Sequence, residues 1–156
     1  MNTKTIKQGV LGGIAGGAVF GMMMAMMGTL PMIGKMVGLP NAGAGFVVHM
    51  VNSAIIGAAF AVVFGRRIQG LGSGLTSGVV YGGVWWVLGP LTLMPLFLGM
   101  GLGVNWTAAA AVKMFPSLMG HLIYGAILGA TYAWLDHRLP RDTAKLARRT
   151  VRPLSS

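Results

Sequence analysis

The chain alternates long apolar runs with short glycine-rich or charged breaks. Its uncharged stretches cover residues 8–34, 36–65, 68–112 and 114–135. A helix crossing the hydrocarbon core of a bilayer needs about 20 apolar residues. The first, second and fourth stretches each hold one such helix. The third is long enough for two, but residues 69–74 and 99–105 are glycine-rich breaks. One strong span and a short segment at 106–115 remain there. The pattern predicts spans at 9–30, 44–64, 75–98 and 117–135, giving an all-α polytopic membrane protein. Residues 1–135 form its single four-helix domain and residues 136–156 a basic cytoplasmic tail.

Composition reinforces this reading. Of 156 residues, 54% are hydrophobic, and the mean hydropathy is +0.72. Only 14 side chains carry a formal charge, whereas a soluble domain devotes about a quarter of its residues to charge. The same numbers exclude a disordered chain, which needs low hydrophobicity and high charge. Between Gln8 and Leu135 the only charges are Lys35, Arg66, Arg67 and Lys113. In a four-span arrangement Lys4, Lys7, Arg66, Arg67 and the tail share one side. Lysine and arginine concentrate on the cytoplasmic side, which predicts an inner-membrane protein with both termini inside. The net charge of +10 then reflects topology. Arg138, Arg141, Lys145, Arg148 and Arg149 have anionic lipid headgroups as their expected partners. Nucleic acid is not expected, because the tail has no interleaved aromatic residues. The first apolar run is too long for a cleaved signal peptide and reads as a retained helix.

The second and fourth spans align at an offset of 72. Residues 49–61 and 121–133 are identical at six of 13 positions, and histidine falls on histidine. The first and third spans align more weakly at 66, with Gly12, Gly16 and Gly17 over Gly78, Gly82 and Gly83. A tandem duplicated two-helix unit is expected, with copies at about 9–66 and 75–138. Each copy crosses twice, so the copies are parallel, related by an axis along the membrane normal. Glycine recurs at every fourth residue, as in Gly9, Gly13, Gly17 and Gly21. That spacing lets membrane helices approach closely. It suits either a homodimer face or packing within the chain, and four helices in one chain favour the latter. Pro31 and Pro95 are expected to end or kink the first and third helices.

The chain has no cysteine and no carboxylate before Asp136. That removes thiol chemistry, paired-carboxylate catalysis and carboxylate proton relays from the membrane. Residues 28–36 resemble a phosphate loop but have one residue too many between the glycines, and Met36 stands where serine or threonine belongs. His49 and His121 remain as candidate ligands or polar sites. Asn52 and Tyr124, one turn after them, would orient the imidazoles or bond between helices. Met23 and Met27 share a helix face and reach the same outer depth, with Met94 near that level. Thioether and imidazole together suit copper as Cu(I). Two symmetry-related histidines are also the axial pair of a b-type haem. Against both stands a neutral histidine that hydrogen-bonds a neighbouring helix.

The string from Gly21 to Met32, with His49, Ile56-Gly57, residues 84–89 and residues 120–125, resembles small uncharacterised four-helix membrane proteins of archaea and bacteria. The resemblance covers most of residues 9–135. It implies fold and location and brings no activity. The expectation is a non-enzymatic membrane component of binding or structural type, acting as a homo-oligomer or a subunit of a larger complex. The alternatives are a transporter or channel for copper or a small solute, and a haem-bearing subunit.

Overall fold

The computed structural model describes residues 3–138, and they are helical and loop throughout, with no strand. The helices are α1 (Thr3–Met26), α2 (Leu30–Lys35), α3 (Ala42–Phe64), α4 (Leu71–Leu88), α5 (Met94–Phe97), α6 (Ala108–Lys113) and α7 (Phe115–Arg138). A π-helical segment, Gly89–Leu93, joins α4 to α5. Four helices are long and apolar enough to cross a membrane: Thr5–Met26, Ala42–Phe64, Leu71–Phe97 and Phe115–His137. Their outward faces carry Leu11, Val51, Ile55, Val80, Val84 and Ile123, all exposed. Such faces suit hydrocarbon and would aggregate in water.

The first span is displaced from the sequence expectation. It begins before residue 9 and ends at Met26, not residue 30. Gly28 adopts φ +67°, a left-handed conformation that costs other L-residues steric strain. The chain turns there, and Pro31 lies in the first turn of the separate α2. Pro31 thus opens a helix, where its missing N–H is no loss. The third span also starts earlier, at Leu71. The glycine-rich run expected to be a loop is largely its first turn. Ser73 Oγ accepts from the N–H groups of Gln69 and Gly70 at 3.0 and 3.2 Å, which supplies partners at the helix start. At the other end the disturbance begins at Gly89-Pro90, ahead of Pro95. Proline cannot donate an N–H, and the chain passes through π-helix there.

Close backbone approach fixes how the helices pack. A Cβ on Gly9 would meet Gly57 and Ala61, and one on Gly13 would meet Ser53 and Gly57. α1 and α3 are therefore antiparallel and in near-backbone contact. α4 and α7 repeat the arrangement: Gly74 lies against Gly129 and Ala133, and Gly78 against Gly125 and Gly129. Gly57 and Ala61 stand to Gly129 and Ala133 at an offset of 72. Gly9, Gly13 and Gly17 map onto Gly74, Gly78 and Gly82 at 65, one residue short of the offset read from the sequence. Gly12 and Gly16 lie on a different face of α1, against Leu128 and Tyr124 of α7. The glycine rows seat helices within one chain.

In space the order is α3, α1, α7, α4. The slightest seam lies between α3 and α4, which meet through Tyr81. Its ring packs on Phe60 and Phe64 at 5.3 and 5.7 Å, and its hydroxyl donates to the Ile56 carbonyl at 2.9 Å. Phe60 and Tyr132, which correspond at the offset of 72, touch edge-to-face at 5.8 Å. Both are fully buried, as is Leu128. Contact between corresponding residues is the pattern a two-fold axis produces.

Candidate functional site

The helix starts set the depth of the histidines. Asn41 caps α3, its side chain accepting from Ala44 N–H at 2.9 Å. His49 lies seven residues into α3 and His121 six residues into α7. At 1.5 Å per residue both sit roughly 10 Å from their helix starts, at matching levels.

Phe20 of α1 joins them. Its buried ring contacts His49 at 5.4 Å and His121 at 4.9 Å between centroids, edge-to-face in both cases. A Cβ on Gly120 would strike the Phe20 ring, so the glycine makes room for the aromatic. The two spacings hold the imidazole centres within about 10 Å of each other. One ion bonded to both, at metal–nitrogen distances of about 2 Å, would need them closer still. Haem between the histidines would have to share the space at their level with the buried Phe20 ring.

Hydrogen bonds assign each tautomer. His49 Nε2 lies 2.9 Å from the carbonyl of Gly17, which can only accept, so Nε2 carries the proton. His121 Nδ1 lies 2.8 Å from the carbonyl of Ser117 and carries its proton for the same reason. Ser117 Oγ adds a longer contact at 3.4 Å. His49 Nδ1 and His121 Nε2 are left as lone pairs without a hydrogen-bond partner among the described residues. A neutral imidazole anchored through one nitrogen to a main-chain carbonyl is the arrangement found in metal-ligating histidines. Gly89, where the π-helical segment begins, lies close to His121 Nε2: a Cβ there would be 3.7 Å away.

The neighbours expected from the sequence divide. Tyr124 is buried and donates to the Ser53 carbonyl at 2.9 Å, an interhelical bond from α7 to α3. Asn52 is exposed and makes no hydrogen bond among the described residues. Met23 packs partly buried against the core and Met27 is exposed, just past the end of α1. Met24, between them, is the buried one. Among the described residues no three of the types His, Cys, Asp and Glu group to hold a metal. Arg141, Lys145, Arg148 and Arg149 lie outside the described residues, as does the side chain of Arg138.

Two participants escaped the sequence reading. Nothing in the sequence marks Phe20, and only the packing shows it contacting both histidines. Gln8 is 3% exposed, and its Nε2 has no partner among the described residues. Its signal was present: a lone amide near the start of an apolar span.

Compared with known proteins, the chain matches no family model, no curated protein and no solved structure.

Proposed function

We propose that this protein is a non-enzymatic, integral component of a prokaryotic inner membrane, of binding or structural type. Both termini lie in the cytoplasm. The carrying observation is the filled interior: backbones in contact along glycine rows, with Phe60, Leu128 and Tyr132 closing the centre. A conduit needs a lined passage, and the middle of this bundle is occupied by aromatic rings. The charge distribution supports the orientation. Lys7, Arg66 and Arg67 belong to the end shared by the start of α1 and the loop from α3 to α4, and Lys35 and Lys113 to the other. Anionic headgroups are the natural partners of the first group and of the basic tail. The matched contacts at offsets of 65 and 72 support descent from a duplicated two-helix unit. A homo-oligomer or a larger membrane complex is the setting in which such a component acts.

A second reading, transport or binding of copper, is favoured by one observation: each histidine keeps an anchored ring with a lone pair that no described residue engages. Protein purified after copper- and haem-replete expression tests both. The structural reading predicts less than stoichiometric copper and no Soret band. Stoichiometric copper that falls at least tenfold in His121→Ala would overturn it in favour of the metal reading. A Soret band lost in His49→Ala would do the same for haem.

A further inference from the structure

Asn52 stands out among the exposed residues of the spans. It is the eleventh residue of the 23-residue α3, so it lies near the middle of the membrane-crossing length. It is exposed and makes no hydrogen bond among the described residues, with Val51, Ile55, Val62 and Val63 exposed on the same helix. In hydrocarbon neither its two N–H groups nor its carbonyl oxygen can find water. Its counterpart at the offset of 72, Tyr124, has a partner in Ser53. Asn52 has none among the described residues.

The residues around it follow a second pattern. Val48, Asn52, Ile55, Ala59 and Val62 are spaced four, three, four and three apart, the alternation of a coiled-coil seam. Ile55 and Val62 are exposed, and Val48 and Ala59 half-buried, so the seam lies open along the helix. Asn52 stands where the a position falls if Val48, Ile55 and Val62 are d. A single asparagine at an a position sets register and favours two strands in coiled coils.

We infer that α3 is the interface of a parallel homodimer, in which Asn52 of each copy bonds Asn52 of the other. The amide is both donor and acceptor, so two copies satisfy one another across a two-fold axis. Two copies inserted with the same topology present their α3 helices parallel, as the seam requires. Val48, Ile55, Ala59 and Val62 then interdigitate above and below the amide pair. The inference gives the assembling component of the preceding section a specific partner. The two fail separately, because that reading is tested by metal and haem content and this one by association.

The absence of native cysteine makes the test direct. Single-cysteine variants Ile55→Cys and Val62→Cys on the seam, and Val47→Cys off it, are purified and reconstituted in phosphatidylcholine–phosphatidylglycerol vesicles. No other protein is present. Oxidation should cross-link Ile55→Cys and Val62→Cys to dimer and leave Val47→Cys monomeric. Adding Asn52→Leu should reduce association about three- to twentyfold, the range of interhelical hydrogen bonds in membranes. Asn52→Gln, which keeps the amide, should restore most of it. Equal cross-linking on and off the seam, no cross-linking at all, or association unchanged by Asn52→Leu would overturn the interface. Asn52 faces outward, so these variants leave the packing of α1 on α3 untouched.

Discussion

Single glycines here differ in what a methyl group would do, and the differences can be measured. Gly78 and Gly125 face each other so closely that a Cβ on either meets the carbonyl of the other. Neither backbone can retreat without separating α4 from α7. Gly78→Ala or Gly125→Ala should therefore destabilise the protein by about 1–3 kcal/mol, the cost of overpacking. Gly72 has open space and an ordinary helical backbone. Gly72→Ala should be neutral or stabilising by up to about 1 kcal/mol. Gly28 also has open space but sits at φ +67°. Gly28→Ala should cost about 1–2 kcal/mol through backbone strain alone. Denaturant titration in detergent, followed by tryptophan fluorescence, ranks the three. If Gly72→Ala proves as damaging as Gly78→Ala, close helix contact is not what these glycines provide. Tyr124→Phe isolates the bond to Ser53 and should cost about 0.5–1.5 kcal/mol, typical of interhelical hydrogen bonds in lipid.

At the scale of elements, the apolar runs made the number and type of helices legible, because length in hydrocarbon imposes helix. Boundaries were less legible where glycine has two uses. The run before Leu75 has a loop's composition, yet Gly74 packs against Gly129 inside a helix and Ser73 supplies the missing partners at its start. Ser73→Ala should thus fray the start of α4, seen as faster amide exchange at Gln69 and Gly70, whose N–H groups Ser73 holds, with the rest of α4 protected. Unchanged exchange there would mean the cap contributes nothing. The disturbance at the far end of α4 falls at Pro90, and side-chain hydrogen bonds hold the chain on either side of it. Trp86 Nε1 donates to the Met114 carbonyl at 3.2 Å, and Asn105 Nδ2 to the Pro90 carbonyl at 3.3 Å. Those partners come from distant sequence, so local pattern could not reveal them. The histidines were legible because a scarce residue recurred at a fixed offset. Phe20 was not, since nothing in its local sequence distinguishes it from other core aromatics.

The whole molecule is a bundle of four helices long and apolar enough to cross a membrane. The starts of α1 and α4 and the ends of α3 and α7 share one end of it, the end proposed to be cytoplasmic. The glycine contacts fix the antiparallel pairing, and the proposed orientation rests on the basic residues. The chain has no cysteine, so one reporter thiol can be read at a time. Gln69 lies exposed in the connection between α3 and α4, and Leu102 exposed in the connection between α5 and α6. The most direct measurement is labelling of Gln69→Cys and Leu102→Cys by a membrane-impermeant maleimide added to intact spheroplasts. Leu102→Cys should react at once, and Gln69→Cys only after the membrane is opened. Reaction of Gln69→Cys in intact spheroplasts, with Leu102→Cys protected, would reverse the topology. Reaction of both would contradict the four-span bundle itself.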